Sequence, residues 1–421
     1  MTELAEDRQA RHNQRKGVNL GLVARSSFTD ALLVAISYLT GPLFCGFYGL
    51  LVTLWMPILC LAFLVDTYTQ RTGSAKSGKT RGNLSIEQGG SRTAIVVLSM
   101  RATAAGLGYG VDHIAPQLMA QLPFAGIGIP GTIYLSQIYQ LLTRAHFRLT
   151  SMTLNDFLAK VLGLPVGECF MHSRTCFMDD TLMSFVHDMQ QQKKPAANVV
   201  VLGAGYDTRL YRLPCFAKYE KADSTAASTS SATGGATTAD ADDVGTHMRL
   251  YEVDASGTQF EKRRVLLNAG IRTDHVTYVT VDFAAESWLH ALEQGGFDAS
   301  LPTCFIWEGI TYYLTEDVLL ENLAIFQEFS TDSVIGFDYF GPWCRGARIM
   351  QAMQAAGEPW HFHIRHDQHL QQLLCATYHF AIKDHVDHAR CIDRYVPCHL
   401  DGRPLGHLGA FGGFVAMSPQ R

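Results

Sequence analysis

The sequence predicts an α/β fold, an open and mainly parallel sheet with helices on its faces, and three observations predict it. Val199–Leu202 is a run of four apolar β-formers that leads straight into Gly203-Ala204-Gly205, the pattern of a buried parallel strand closing in a tight glycine turn. Further strand-like runs at 249–253, 276–281 and 303–307 each end in an acid: Asp254, Asp282 and Glu308. The carboxyl ends of strands in an open α/β sheet line one crevice, so the fold collects the glycine turn and the acids there.

Taken from the N-terminus, residues 1–27 form a basic tail with Arg8, Arg11, Arg15, Lys16 and Arg25. Residues 28–66 contain the 35 positions from Ala31 to Val65, which carry no charged side chain. A helix spans a bilayer with about 20 residues. The segment is therefore expected to be a transmembrane helix or, broken at Gly41-Pro42 and Pro57, a re-entrant hairpin. It is too long and starts too late for a cleaved signal peptide, and positive flanks on both sides leave its orientation open. Residues 67–91 read as a flexible Gly/Ser/Lys linker. Within it, Gly73–Thr80 matches the phosphate-loop pattern G-x-x-x-x-G-K-[ST]. Such a loop needs a buried strand before it and a helix after it, and neither flank fits. Residues 92–421 form the remaining domain, beginning with helices over 92–195 that are expected to act as a lid over the crevice.

The turn after Leu202 falls short of a dinucleotide fingerprint, because Thr208 stands where G-x-G-x-x-G has its third glycine. Asp254 is placed to accept hydrogen bonds from a ribose diol. The usual interval from glycine turn to such an acid is about 20 residues. The excess here is residues 221–246, a Ser/Thr/Ala/Gly/Asp tract without the apolar bulk to order itself, expected as a disordered insertion in a surface loop. After Glu308-Gly309 come Ile310–Leu314, a helix over 317–329 and a strand over 333–340. Gly409–Met417 reads as a terminal antiparallel strand with Cys375–Lys383 as its partner, which completes a seven-stranded sheet. His361, His363, His366 and His369 form H-x-H-x-x-H-x-x-H. No cysteine or carboxylate completes a tetrahedral set on helical spacing, so a polar surface segment is expected and no metal.

Charged residues make up only 17% of the chain, net charge is −5 and no basic run extends beyond short clusters, so no nucleic-acid surface is expected. The ten cysteines include no C-x-x-C pair and read as reduced thiols of a protein facing the cytosol.

An acid on a ribose, an acid on an adenine amino group and a glycine turn under an amino-acid tail suit S-adenosylmethionine. The segments LGAGYDTRLYRL, YEVDASGTQFEKRRVL, VTVDF and FIWEGITYYLTEDVL, starting at residues 202, 251, 279 and 305, carry a family resemblance. Together they resemble the leucine carboxyl methyltransferase family of S-adenosylmethionine-dependent methyltransferases, over about residues 90 to 417. Phe170–Thr175 followed by Asp179-Asp180 is similar to the family's Arg-Thr…Asp-Asp stretch, and Asp112–Ala115 departs from its Asp-Pro-Tyr-Ala stretch on the substrate side. The resemblance implies a class I methyltransferase sheet of Rossmann-like form. It also implies Arg174 as the clamp on the cofactor carboxylate, within a cofactor set of Arg174, Gly203, Gly205, Asp254, Asp282, Phe283 and Glu308.

Methyl transfer from a sulfonium is an in-line displacement, for which the protein aligns the reactants and excludes water. A carboxylate acceptor is already a nucleophile, whereas a hydroxyl needs a base. No histidine in the motif region declares itself as that base, so an O-methyltransferase acting on a carboxylate, of a protein or a small molecule, is expected. The alternatives are a hydroxyl acceptor, or a cofactor- or partner-binding domain without catalysis. A nicotinamide dehydrogenase is disfavoured by the missing third glycine and by Glu308-Gly309. Arg174 and Tyr313, one turn after Glu308, are the catalytic candidates, and core packing is the alternative for Tyr313. The expected location is a membrane, through residues 31–65, with the catalytic domain facing the cytosol.

Overall fold

A computed structural model describes residues 17–18, 92–122, 130–162, 167–216, 246–342 and 359–420, except 284, 400, 401, 403 and 410, together with isolated positions between 42 and 50. Those isolated positions aside, the apolar run 31–65, the linker 67–91 and residues 221–245 lie outside the described residues. Thr246, the last residue assigned to the insertion, is described and buried, so it belongs with the strand that follows. Among the described residues no helix is long and apolar enough to cross a membrane.

The chain divides into two compact units, residues 1–173 with 392–410 and residues 174–391 with 411–421. Among its described residues the first holds a short parallel pair, Gly17–Val18 with Cys398–His399, and the helices α1 (Arg92–Gly106), α2 (Ala115–Gln121), α3 (Pro130–Thr150), α4 (Leu154–Leu162) and the first turns of α5 (Glu168–Gln191). Asp112 starts α2 by accepting the Ala115 N–H at 3.0 Å, and it pairs with Arg101 at 3.5 Å. Thr153 caps α4 by accepting the Asp156 N–H at 2.9 Å, and its own hydroxyl donates to Glu168 at 2.6 Å. Asp156 and Glu168 are both fully buried. Burial, and then the neighbouring Glu168 charge, push the Asp156 carboxyl well above the usual range.

The second unit holds the sheet: β1 (Ala196–Leu202), β2 (His247–Asp254), β3 (Val276–Thr280), β4 (Thr303–Trp307), β5 (Val334–Tyr339), β6 (Phe380–Asp387) and β7 (Gly413–Pro419). The spatial order is β3-β2-β1-β4-β5-β7-β6. The first five strands are parallel, and β7 runs antiparallel to both of its neighbours. This is a class I methyltransferase-like α/β fold. Its order reverses between β1 and β4, the switch point beside which open α/β sheets bind their ligands. Phe305 at the centre of the sheet packs against Phe329 at 4.8 Å and Phe326 at 5.1 Å between ring centroids, covering one face of the sheet.

Two elements differ from expectation. The partner of the terminal strand is Phe380–Asp387, not Cys375–Lys383, and the terminal strand itself is Gly413–Pro419. Leu370 and Leu374, four residues apart, are both buried as one face of a helical segment made of α6 (Asp367–Gln371) and a π-helical turn, Gln372–Thr377. Their hydrophobicity reads as a strand only when that spacing is ignored. The helix after Glu308 runs Glu316–Gln327.

Candidate active site

Gly203 and Gly205 adopt φ of +59° and +45°, the left-handed region that favours glycine. A Cβ added at Gly203 would also overlap Cδ1 of Ile310, so a side chain there would have to displace the tip of Ile310 besides adopting the strained φ. The Gly205 N–H donates to Asp254 Oδ2 at 2.5 Å, and the Ala255 N–H donates to Oδ1 at 2.6 Å. Asp254 thereby ties the glycine turn to the end of β2. Burial raises its pKa, and these two backbone donors pull it back.

The helix after the turn is a single turn, Arg209–Arg212, and its start is not open to a ligand. The Arg209 N–H donates to Asp207 Oδ1 at 2.7 Å. On the same half of the sheet as β1 and β2, Asp282 and Phe283 follow β3 and are exposed, Phe283 by 45%.

The strand ends meet α5 in a buried network of charge. Arg174 Nε pairs with Glu308 Oε1 at 2.9 Å, and its Nη1 pairs with Asp338 Oδ2 at 3.0 Å and donates to the Tyr312 hydroxyl at 3.3 Å. Glu308 Oε2 takes Arg209 Nη2 at 2.6 Å. Arg209 also reaches Asp179 at 2.9 Å and Asp207, and Arg212 reaches Asp179 at 2.7 Å. Burial works against the Arg174 charge, yet Glu308 and Asp338 beside it hold its pKa well above the usual value. Burial raises Asp338, and Arg174 pulls it partly back.

These seven side chains comprise three guanidinium groups and four carboxylates, none more than 10% exposed. The set carries one excess negative charge, and Glu308 is its most exposed member. An amino-acid end bearing an ammonium and a carboxylate, attached to a sulfonium, has one net positive charge and matches it. The donor set therefore fits S-adenosylmethionine: a guanidinium for the carboxylate, a carboxylate for the ammonium, and an acid beside a glycine turn for the ribose.

The structure brings Arg174 and Glu308 into contact and sets Gly205 on Asp254. Tyr312 reaches Arg174, while the half-buried Tyr313 packs beside it at 4.8 Å between ring centroids. Sequence reasoning missed Arg209, Asp207, Tyr312 and Asp338. Asp338 lies one residue before the end of β5, close to where the other acids end their strands, and the same signal would have found it. Of the histidines, His366 caps α6 by accepting the His369 N–H at 3.0 Å, and among the described residues no cluster of His, Cys, Asp or Glu could hold a metal.

A family model described as leucine carboxyl methyltransferase matches residues 141–222 and 240–325. A Mycolicibacterium vanbaalenii protein, assigned by name as an S-adenosyl-L-methionine-dependent methyltransferase, is 30% identical over 158 residues, 37% of this chain and 40% of its own length. A Streptomyces coelicolor protein with the same assignment is 33% identical over 153 residues, 36% of this chain and 41% of its own length. The chain thus spans well under half the length of these relatives. Among solved structures, a DUF574 family protein from Streptomyces avermitilis gives a TM-score of 0.39 at 10% identity, covering 63% of this chain and 89% of that one. Magnesium protoporphyrin IX methyltransferase from Synechocystis, with bound SAH, gives 0.32 at 10% identity, covering 57% and 83%.

Proposed function

We propose that this chain, whose residues 141–222 and 240–325 match the leucine carboxyl methyltransferase family model, is an S-adenosylmethionine-dependent O-methyltransferase whose acceptor is a carboxylate of a protein or a small molecule. The observation that carries this reading is Glu308, set by two guanidinium groups at the switch point of the sheet. Arg174 would take the cofactor carboxylate, Glu308 its ammonium group, Asp254 the ribose diol, and Asp282 with Phe283 the adenine. When bound, the cofactor supplies an electrophilic methyl group on sulfur for in-line attack by an acceptor oxygen.

The network also supports the acceptor class. Glu308, Asp179, Asp207 and Asp338 are each paired with a guanidinium, so using any of them as a base would break a buried ion pair. Such a site suits an acceptor that is already ionised. We further propose that residues 31–65 hold the protein at a membrane with the catalytic domain in the cytosol; the long uncharged stretch between Asp30 and Asp66 supports this.

The acceptor is tested by labelling a membrane lysate with tritiated-methyl S-adenosylmethionine, with and without the full-length protein. Label released as volatile methanol by mild base is the expected result. Label that depends on the protein yet resists base would replace the carboxylate with a hydroxyl. No protein-dependent label, with cofactor binding retained, would favour a binding domain without catalysis.

A further inference from the structure

We propose that Asp338 is a positioning residue that holds Arg174 for the amino-acid end of the cofactor; this rests on the reading of the site as one that takes S-adenosylmethionine. Phe337 pairs with Trp307 in the β4–β5 register, so Asp338 and Glu308 lie abreast near the ends of adjacent parallel strands. Asp338 is 1% exposed, and both of its carboxylate oxygens and its main-chain carbonyl are engaged. Oδ2 takes Arg174 Nη1 at 3.0 Å, Oδ1 accepts the Gly309 N–H at 2.6 Å, and the main-chain carbonyl accepts the Thr311 hydroxyl at 2.5 Å.

One side chain therefore fastens the guanidinium of α5 and the turn that carries Glu308. The turn passes directly over the guanidinium: Gly309 has φ of +76°, and a Cβ there would lie 3.5 Å from Arg174 Nη1. Without Asp338, Glu308 would be the remaining carboxylate of the network on Arg174. The two already pair at 2.9 Å, and with no second carboxylate drawing on Arg174 that internal pair would compete more strongly with both charges of an incoming zwitterion. With Asp338 in place, Arg174 is drawn from two sides and keeps a fixed orientation. The role concerns the amino-acid end of the ligand and not its nucleoside end.

The test is calorimetric binding of two probes to the full-length protein: S-adenosylhomocysteine, which has the amino-acid end, and 5′-methylthioadenosine, which lacks it. Asp338→Asn keeps an oxygen for the Gly309 N–H and removes the charge. S-adenosylhomocysteine should bind about tenfold to a hundredfold more weakly, with 5′-methylthioadenosine changed by less than about twofold. In turnover, KM for S-adenosylmethionine should rise more than kcat falls. Equal losses for the two probes would make Asp338 merely structural, and unchanged binding of both would remove it from the site; either overturns the proposal. Wild-type protein that binds neither probe overturns the cofactor reading itself. Should Asp338→Asn not fold, Tyr312→Phe loosens the same guanidinium. It should weaken S-adenosylhomocysteine alone, by about twofold to tenfold, and an unchanged affinity would count against the proposal.

Discussion

Glu308 shows how one residue acquires a role from its partners. Each of its oxygens is held by a different guanidinium, at 2.9 and 2.6 Å, so its charge and its direction are both fixed before any ligand arrives. Glu308→Gln should leave Arg209 with Asp179 and Asp207 but remove the shared counter-charge between the two arginines. The expected outcome is S-adenosylmethionine binding weakened by about tenfold or more, measured by calorimetry on the full-length protein. Unchanged affinity would place the ammonium group elsewhere. Asp254 works differently, because its carboxylate already holds the Gly205 and Ala255 N–H groups, and its loss would disturb the turn as well as the ribose contact.

At the scale of elements, the cofactor-side half of the sheet is fastened to its helix by a buried ion pair. Lys262, on the helix Ser256–Asn268 that follows β2, donates to Glu252 of β2 at 2.7 Å, and both side chains are 1% exposed. Tyr211 and Tyr278 close the cluster, with their hydroxyl groups 2.7 Å apart. Burial pushes the Glu252 carboxyl up to about 7, with Lys262 opposing. Lys262→Met strands a buried carboxylate and should cost about 3–5 kcal/mol at alkaline pH. The sign of its pH dependence follows from linkage. An acid whose folded pKa is raised stabilises fully below its unfolded pKa, and loses that contribution as pH rises through the folded value. The variant's loss should therefore be smaller at acidic pH, where Glu252 takes up a proton, than above neutrality. Urea unfolding of variant and wild type at both ends of that range measures it, and a loss independent of pH would mean that Glu252 is not what Lys262 neutralises. Lys262→Met combined with Glu252→Leu should recover most of the stability at alkaline pH.

For the whole molecule, the consequential question is where the apolar run Ala31 to Val65 sits. Asn83-Leu84-Ser85 in the linker is an internal reporter, because this sequon is glycosylated only in a lumen. Expressed in a eukaryotic host, the full chain should pellet with carbonate-washed membranes and show no glycosidase-sensitive shift. Release into the carbonate supernatant would remove the anchor. A shift abolished by Asn83→Gln would put the linker, and the catalytic domain after it, on the luminal side.

Much of the fold was legible because its signals are local. The run Val199–Leu202 and its two glycines declare a strand and a turn within seven residues, and the acids Asp254, Asp282 and Glu308 mark strand ends in the same local way. The partner of the last strand was misread because a short apolar stretch around Leu374 serves a buried helical turn as well as it serves a strand, and only packing against the sheet distinguishes them. The sequence by itself determined which residues end the strands and therefore which chemistry gathers at the switch point. Tertiary structure alone decided who pairs with whom: Arg174 meets Asp338 across 164 positions of chain, and Tyr312 across 138. Those distances are closed by strand order and by the packing of α5 against the strand ends, and such packing leaves no trace in the spacing of the residues it brings together.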